Sequence, residues 1–518
     1  MSKPAKRPKP PDLNDEKRGQ GSKFDPMGGK LVELRPEQPK ARPSGKTKSQ
    51  AAAMLALFEA HHGEAFRSLD DRPLVCLTEG GRRQTMQLPQ AVKTLARWQF
   101  EKTGQPATVR SREEVRNHLE ALAEAGEKRQ TWLRVAEHDG SLYLDLGDES
   151  WRAVRITSEG WQVIDCPPVY FVRPGAMLPL PIPVPDGNVA ELFELVNIPS
   201  GPDRALALAW LLSTLRPSRP MPLLALHAEQ GSAKSTTARM LAAMIDPHQA
   251  GLRIRPKDEE TVMVATQNSW VVAYDNLSTM PPWLSDALCC LSTGASYTAR
   301  TKYSDAGETV MRAQRPVLLT SIEDIASRSD LLDRMIVLTL PTIPESSRRT
   351  EQEVTAAFDI AHPRILGALL DAAAHALRTL PSVRSDALPR MADFAKWAIA
   401  AESGLGIAPG EFLRAYRENR QDAHAQALDS CPIVEPLDRC MSDVSEWTGT
   451  ATDLLAELDR KADDKARSHP KWPQDVTRLS GQLRRIAPNL RSRGLEITHS
   501  RASGRSRSRL VTIAKVPR

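Results

Sequence analysis

The segment from His227 to Thr236 contains the residue types that bind the phosphates of a nucleotide. It reads His-Ala-Glu-Gln-Gly-Ser-Ala-Lys-Ser-Thr, and it lies between a short apolar run and a sequence rich in Ala, Leu and Met that predicts a helix. Backbone N–H groups of such a turn can surround phosphate oxygens, and the helix N-terminus adds partial positive charge. Lys234 would reach the β- and γ-phosphates, and Ser235 would place its hydroxyl on Mg²⁺. The pattern therefore predicts ATP and Mg²⁺ as ligands, bound by Glu229, Gln230, Gly231, Ser232, Ala233, Lys234, Ser235 and Thr236.

Two glycines of the usual pattern G-x-x-x-x-G-K-[ST] are replaced here by Ala228 and Ala233. Alanine restricts the loop but removes no phosphate ligand, since the donors are backbone amides and the lysine. Gly231 remains at the turn. The alternative is an ordinary strand–turn–helix in which the glycine and the lysine occur by chance, and the residues that follow argue against it.

Asp275 is the first partner of this loop, because it ends the apolar run 270–274 and stands 41 residues after Lys234. A carboxylate at the end of a buried strand beside a phosphate loop is where Mg²⁺ is held. Asn276 follows it, and an amide cannot accept a proton at neutral pH. Three interpretations of the catalytic base stay open: Asp275 acting through a water, another acid such as Glu229 or Asp305, or slow hydrolysis.

The chain alternates buried runs with helical segments around this loop, which predicts an α/β core with a parallel sheet. Two helices are predicted before the core, at 51–60 and 111–125, the second capped by Ser111 together with Glu114. The predicted organisation is a disordered basic tail (1–48), a small α+β domain (49–166), a proline-rich linker (167–200), a P-loop core (201–345), a helical lid (346–430) and a winged-helix domain (446–518).

The end of the chain is strongly basic, since residues 481–518 contain ten Lys or Arg and one acid. A predicted helix over 476–487, ended by Pro488, and a hairpin after it are typical of a winged helix. This region favours contact with duplex DNA through its arginines, although a winged helix can also bind protein. The candidate DNA-binding residues here are Arg478, Arg484, Arg485, Arg501, Arg505 and Arg507.

The order of motifs over 203–345 resembles the superfamily 3 helicases of the AAA+ group, which are compact ATPases of DNA viruses and mobile elements. It also looks like the MCM-like helicases of bacterial cassette elements and the ATP-binding proteins of prophages. Residues 291–303, Leu-Ser-Thr-Gly-Ala-Ser-Tyr-Thr-Ala-Arg-Thr-Lys-Tyr, are similar to a motif that leads in this family into a hairpin lining the channel of a ring. The resemblance implies that Arg300 and Lys302 contact single-stranded DNA; a surface loop with two ordinary cations is the alternative.

The resemblance also implies an AAA+ core with a helical lid and assigns two further catalytic roles. Thr320 would orient the attacking water, and Arg334, with Arg328 as the alternative, would reach the γ-phosphate of a neighbouring subunit. Catalysis by such an arginine requires a homo-oligomer, for which the family expectation is a hexamer. The family usually has two adjacent acids where this chain has Asp275 and Asn276, so the departure concerns turnover more than nucleotide binding.

These features together predict an ATP-dependent DNA helicase or translocase for the replication of a mobile genetic element. One alternative is an ATP-switched DNA-binding initiator or regulator with little hydrolysis, and another is an antiphage defence ATPase. The sequence has no recognisable primase site, so a separate primase would be needed. The longest apolar runs fall short of the ~18 residues that span a bilayer, and the six scattered cysteines form no C-x-x-C pair. We therefore expect a cytoplasmic protein without a membrane partner.

Overall fold

The structure, a computed structural model, describes residues 49–199, 201–294, 296–300, 308–321, 329–384, 387–501 and 509–516, with 296–300 and 308–312 described by their backbone alone. The predicted basic tail, residues 1–48, lies outside the described residues. In the described ranges, no helix combines the length and the apolar character that a membrane span requires.

The N-terminal part is a four-stranded sheet covered by three helices. Its strand order is β3-β2-β1-β4, with β1 antiparallel to β2 and parallel to β4. The elements are α1 (Gln50–Ala60), β1 (Glu64–Ser68), β2 (Pro73–Glu79), β3 (Arg82–Gln87), α2 (Leu88–Thr103), α3 (Val109–Ala125) and β4 (Lys128–Arg129).

The predicted N-cap of α3, Ser111, was wrong, because the helix begins three residues earlier in the sequence. The hydroxyl of Thr108 accepts the N–H of Ser111 and so caps α3. Ser111 is itself buried in the first turn, where its hydroxyl contacts the carbonyl oxygen of Thr108. Both residues can cap a helix, and the burial of Ser111 decided between them.

A second, antiparallel sheet follows in the order β6-β7-β8-β9, beside the parallel pair β5 and β10. The strands are β5 (Thr131–Trp132), β6 (Val135–His138), β7 (Ser141–Asp145), β8 (Ala153–Thr157), β9 (Gly160–Ile164) and β10 (Tyr170–Phe171). The last of these lies in the proline-rich stretch, where the sequence predicted no element. Asp145, at the end of β7, pairs with Arg173 at 2.5 Å, which is why this acid is buried.

The central part is a parallel sheet, as the alternating pattern predicted, and its strand order is β12-β15-β11-β16. Its elements are α4 (Pro202–Ser213), β11 (Leu223–His227), α5 (Lys234–Ala243), α6 (Glu259–Asn268), β12 (Val272–Leu277), α7 (Pro282–Thr293), β13 (Ser296–Arg300), β14 (Glu308–Arg312), β15 (Val317–Ser321), α8 (Ser329–Leu332) and β16 (Met335–Thr339). Strand β15 therefore lies between the strand of the phosphate loop and the strand of Asp275. This order places the loop after β11, Thr320 on β15 and Asp275 on β12 side by side at one edge of the sheet.

A helical region and a small terminal sheet complete the chain. The helices are α9 (Glu351–Thr379), α10 (Ala392–Ala401), α11 (Glu411–Asp429) and α12 (Val434–Met441), followed by β17 (Glu446–Thr450), α13 (Ala451–Lys461), α14 (Asp464–Ser468), α15 (Val476–Ser492), β18 (Leu495–Arg501) and β19 (Arg509–Lys515). The terminal sheet is antiparallel in the order β17-β19-β18. Short 3-10 helices occur at Val189–Glu194, Glu345–Ser347, Leu380–Ser382 and Ser403–Leu405.

The predicted end of the basic helix at Pro488 was wrong, because α15 continues through this proline to Ser492. A proline inside a helix costs ~3 kcal/mol through its missing N–H and a clash with the preceding turn. The next turn buries Asn489 and Leu490 almost completely. We attribute the continued helix to the packing of this last turn.

A buried ion pair joins the second sheet to the central part. Arg134 and Asp246 are 3.0 Å apart with 0% and 1% of their side chains exposed. The other carboxylate oxygen of Asp246 accepts the backbone N–H groups of Trp270 and Val271, at 2.7 and 3.0 Å. Because Asp246 follows α5 and Trp270 precedes β12, this pair holds together the segments that carry the candidate site.

Candidate functional site

The loop between β11 and α5 has the backbone shape of a cradle. Gly231 has φ +82°, and Ala233 has φ 55° and ψ 30°, which is the left-handed region. This region costs an alanine ~1–2 kcal/mol, so Ala233 retains the backbone geometry for which glycine is normally selected. Residues 229–236 line a cavity of about 410 Å³ together with Asp275 and Asn276. All eight residues predicted to bind the nucleotide are thus brought to one cavity.

Lys234 is the first residue of α5, and its ammonium group is buried beneath the loop. Its Nζ donates to the carbonyl oxygens of Ala228, at 3.2 Å, and Ser321, at 2.8 Å. Burial lowers the pKa of Lys234, and the negative charge of Asp275 opposes that shift. A phosphate group at the loop would add a second anionic partner and favour the charged amine further.

Three hydroxyl and carboxylate groups converge beside this lysine. Ser235 Oγ donates to the Asp275 carboxylate, whose oxygens are 2.9 and 3.0 Å away. Thr320 Oγ1 donates to Asp275 Oδ1 at 2.5 Å and accepts the N–H of Asn276 at 2.8 Å. Thr320 is completely buried, whereas Asp275 is half-buried. The sheet order explains the contact, because β15 places Thr320 directly beside β12.

Asn276 occupies an irregular position of β12. Its φ is +53°, and the register between β12 and β15 shifts between Tyr274 and Leu277. A bulge of this kind re-aims side chains at the end of a strand, and it leaves Asn276 exposed at the cavity. Glu229 lines the same cavity; Asp305, the other acid considered as a base, lies outside the described residues.

Sequence reasoning missed two residues that contact the phosphate loop. Asn197 donates its side-chain amide to the carbonyl oxygens of Ser232, at 2.8 Å, and Pro341, at 2.6 Å. The guanidinium of Arg348 lies against the loop at Gly231. A Cβ built on Gly231 would be only 3.4 Å from Nη2 of Arg348. Neither residue belongs to a local motif, and only the tertiary contacts identify them.

Arg334 lies at the opposite end of the sheet from the loop. Strands β11 and β16 are parallel, with Leu223 opposite Met335 and His227 opposite Thr339. Arg334 precedes β16 while the loop follows β11, a separation of roughly 15 Å along the strands. Its Nη1 donates to the carbonyl oxygen of Asp330 at 2.5 Å. Arg334 is therefore not brought to the cavity of its own chain, and Arg328 lies outside the described residues.

The predicted channel motif begins at the end of α7 and continues into β13. Strand β13 forms an antiparallel hairpin with β14, in which Arg300 is opposite Glu308. The structure gives the backbone of Arg300, and Lys302 lies in the range 301–307 that it does not describe. In the terminal region, Arg478, Arg484, Arg485 and Arg501 are exposed. Arg505 and Arg507 fall outside the described part of that hairpin.

The arrangement as a whole offers the backbone of a loop with two left-handed residues, one buried ammonium group and a hydroxyl–carboxylate pair at one cavity. Hard oxygen ligands such as Ser235 Oγ and Asp275 suit Mg²⁺, which commonly takes one or two carboxylates and completes its shell with substrate phosphates and water. In the described ranges there is no group of three or more His, Cys, Asp or Glu side chains that could hold a metal by itself. The fold and the site define a mixed α/β protein with a candidate phosphate-binding loop at the carboxyl edge of a parallel sheet.

Two family models match the sequence, and together they span more than half of it. Residues 189–425 match the actinomycete integrative conjugative element replication protein, and residues 433–518 match the C-terminal domain of the same RepA family. The chain belongs to this family of conjugative-element replication proteins. No curated protein matched the sequence.

Solved structures of the NrS-1 C-terminal region are similar at low identity. The apo structure of its residues 305–718 has a TM-score of 0.40 and 12% identity, and the match covers 91% of this chain and 100% of that one. An A-form apo structure of the same region has a TM-score of 0.38 and 11% identity, with 90% and 98% covered.

Proposed function

We propose that this replication protein is an ATP-dependent DNA helicase or translocase that acts in the replication of a conjugative element. The observation that carries the proposal is the convergence of Lys234, Ser235 and Asp275 at the loop cavity, with Thr320 bonded to Asp275. Two neighbouring strands, β12 and β15, and the N-terminus of α5 supply these groups. A chance strand–turn–helix would not bring a carboxylate and a threonine from two other strands to the same lysine.

ATP is proposed to bind with its phosphates against the backbone of residues 229–236. The N-terminus of α5 would stabilise the negative charge. Lys234 would exchange the carbonyl oxygens of Ala228 and Ser321 for phosphate oxygens, which gains a charge-assisted contact. Ser235 and Asp275 would hold Mg²⁺, which neutralises charge that develops on the phosphates during transfer.

Thr320 is proposed to orient the attacking water. Its hydroxyl already donates to Asp275 and accepts from the backbone of Asn276, so its own direction is fixed. Position and electrostatics account for most of the catalysis in this class of reaction. Proton removal remains with Asp275 through a water or with Glu229, since Asn276 is an amide.

The central part is proposed to be an AAA+ core of the superfamily 3 type, with the helices after β16 as its lid. Arg334 is proposed to act in trans, and its place at the far end of the sheet supports this assignment over a role in its own cavity. A planar, permanently charged guanidinium suits a transition state whose charge spreads over phosphoryl oxygens. A homo-oligomeric ring follows from the trans role, with six subunits as the expected number.

DNA is proposed to contact two surfaces. The β13–β14 hairpin, with Arg300 and Lys302, would follow single-stranded DNA in the channel. The terminal sheet with α13 to α15 is proposed to be a winged helix that binds duplex through Arg478, Arg484, Arg485, Arg501, Arg505 and Arg507. Four of these arginines are exposed in the described residues.

A nucleotide-switched initiator that hydrolyses ATP slowly is the second candidate, and Asn276 favours it. In that case ATP would set assembly on DNA, and the absent second acid would preserve the bound state. Membership in a replication-protein family favours both of these functions over an antiphage defence role.

Steady-state ATP hydrolysis by the full-length protein, with and without single-stranded DNA, tests the proposal. Lys234→Ala is the loss-of-function variant, and Lys102→Ala, on the exposed end of α2, is the matched control. Turnover that rises with DNA, persists in Lys102→Ala and is lost in Lys234→Ala supports the motor. Tight ATP binding with DNA-independent, negligible turnover would favour the switch instead, and no ATP binding would contradict both.

A further inference from the structure

Asp333 joins the turn before β16 to the helical region. Its carboxylate accepts hydrogen bonds from Arg420 Nη2 at 2.5 Å, His424 Nε2 at 3.0 Å and Arg390 Nη1 at 3.1 Å. Burial by itself raises the pKa of Asp333, but the hydrogen bonds from His424 and Arg420 and the charge of Arg420 outweigh it and hold that pKa well below its usual range. Asp333 is therefore ionised at physiological pH.

This turn also carries Arg334. The backbone N–H of Arg334 donates to Leu331 at 2.9 Å, and its guanidinium donates to the carbonyl oxygen of Asp330 at 2.5 Å. Leu331 and Leu332 are buried, so the turn is anchored from below. The Nε of Arg334 is buried without a hydrogen-bond partner in the described residues. A displacement of Asp333 must therefore displace Arg334, which is the next residue and is held by the same turn.

His424 connects this turn to the proposed DNA-binding helix. Its Nδ1 lies 3.0 Å from Oδ1 of Asn489 on α15, while its Nε2 contacts Asp333. Helix α15 packs directly against α11, which carries His424, and against α8, which precedes Asp333. Asn489 and its neighbour Leu490 are almost completely buried, so α15 cannot shift relative to α11 without changing the contact with His424.

The donor and acceptor roles of the two ring nitrogens of His424 depend on the orientation of the Asn489 amide. A neutral imidazole donates from one nitrogen only, whereas both nitrogens face oxygen atoms in this arrangement. With Oδ1 of Asn489 towards His424, both contacts are hydrogen bonds only if the ring is an imidazolium. With the amide reversed, Nδ2 would donate to a neutral ring, a choice that the hydrogen-bond network decides. The charged groups that face His424 and its partner Asp333 are Arg420 and Arg390, besides the Asp333 carboxylate itself.

We propose that His424 is a positioning residue that transmits duplex DNA contact at α15 to Arg334 through Asp333. DNA bound to the arginines of α15 would fix the amide of Asn489, and His424 would hold Asp333 and the turn in the position that a neighbouring subunit requires. The inference rests on the proposed function, because it assigns a regulator to the proposed trans arginine. It adds a route by which the terminal region controls hydrolysis.

Two variants of Asn489 test this route in the full-length protein. Asn489→Leu keeps the branching of the side chain but removes the acceptor, and Asn489→Asp keeps an acceptor at the same place. The measurements are ATP hydrolysis with and without duplex DNA, duplex binding by fluorescence anisotropy, and the melting temperature. His118→Ala, on the exposed surface of α3, is the control.

We expect Asn489→Leu to bind duplex DNA with wild-type affinity. The factor by which duplex DNA raises its kcat should be about tenfold smaller than in wild type, which is within the usual range of coupling between linked sites. Asn489→Asp should keep the stimulation, because its carboxylate oxygen can accept a hydrogen bond from Nδ1 of His424 as the amide oxygen does. A structural role alone would lower the melting temperature without this rescue of the stimulation. If Asn489→Leu melts early, His424→Gln replaces it, and the same loss of stimulation is expected.

Several results would overturn the relay. Equal stimulation in wild type and Asn489→Leu contradicts it while leaving the proposed motor intact. Equal losses in Asn489→Leu and Asn489→Asp contradict the role of the acceptor at position 489. Loss of duplex affinity in Asn489→Leu, in proportion to the loss of stimulation, assigns Asn489 to DNA docking instead. A wild-type protein without ATP hydrolysis contradicts the motor proposal, and the relay with it.

Discussion

The hydroxyl of Ser235 lies 2.9 Å from one carboxylate oxygen of Asp275 and 3.0 Å from the other, across 40 residues of sequence. Ser235 lies in the first turn of α5 and Asp275 in the second half of β12, and the parallel sheet brings them together. The pair forms a small set of hard oxygen atoms beside a buried lysine. The consequences of this relationship can be measured directly.

Ser235→Ala and Asp275→Asn should each lose Mg²⁺-dependent hydrolysis, because each removes a proposed Mg²⁺ ligand. A metal ion supplies several kcal/mol of charge stabilisation in the transition state, so kcat should fall by ~100-fold or more. Binding of ATP measured in EDTA should change much less. Ser292→Ala, in the buried end of α7 away from the cavity, is the serine control. If ATP binding in EDTA falls by the same factor as kcat, Ser235 and Asp275 maintain the fold of the loop instead of binding Mg²⁺.

Two inactive variants should restore activity when they are mixed. Arg334→Ala removes the group given to a neighbour, and Lys234→Ala removes the group that binds ATP in the same chain. In a mixed ring, an Arg334→Ala subunit still has an intact phosphate loop. A neighbouring Lys234→Ala subunit still has Arg334 and can supply it to that loop. We expect ATP hydrolysis by the mixture while each variant alone is inactive and Arg334→Ala still binds ATP. A mixture as inactive as its components would contradict the trans role.

Replacing Arg484 and Arg485 by alanine should weaken duplex binding and flatten its dependence on salt. About four phosphate contacts would give a plot of log binding constant against log salt concentration with a slope of about −3.6. Each lost contact reduces the magnitude of this slope by ~0.9. The double variant should therefore reduce the magnitude by about 1.8 in anisotropy titrations at several salt concentrations. Arg97→Ala together with Arg110→Ala, on exposed surfaces of α2 and α3, controls for net charge. An unchanged slope in the α15 variant would contradict the assignment of that helix.

His362 should make the folded protein less stable below neutral pH. Burial lowers the pKa of His362 to about 4, although its hydrogen bond to the carbonyl oxygen of Met244 opposes the shift. The ordinary value is near ~6.5, so the unfolded chain binds the extra proton first as pH falls from 6.5 to 4. Stability from this site is complete above pH 6.5 and is lost through that window, by about 2 kcal/mol between pH 7.5 and 5.

Urea unfolding of wild type and His362→Gln at pH 7.5 and pH 5 measures this contribution. Glutamine can still donate to Met244 but does not titrate, so the variant should lose less stability than wild type between the two pH values. The other titratable groups are common to both proteins and cancel in the comparison. Parallel losses in the two proteins would show that His362 does not set the pH dependence.

Local pattern was sufficient for the strand, turn and helix around Lys234 and for the parallel pairing of the central strands. The loop needs a strand, a turn with Gly231 and a helix that begins at Lys234, and all of these are encoded within about fifteen residues. The strands of the parallel sheet are buried on both faces, so they appear as continuous apolar runs. The same runs predicted a strand end at Asp275, whereas β12 continues to Leu277 through the irregularity at Asn276. The contact of Asp275 with Thr320 is a property of the sheet order.

Where two local choices were equally suitable, packing decided. Thr108 caps α3 because Ser111 is buried, and α15 passes through Pro488 because Asn489 and Leu490 are buried beyond it. Neither burial can be inferred from the neighbouring sequence.

The sequence by itself determined the chemistry of the candidate site, since the residue types and the spacing from Lys234 to Asp275 are local or nearly local properties. The tertiary structure decided which distant groups act on that chemistry. Asn197 and Arg348 reach the loop, and Asn489 reaches His424, only through folding. The physical reason is that hydrogen bonds form at distances near 3 Å, and a linear sequence does not specify which distant side chains come that close.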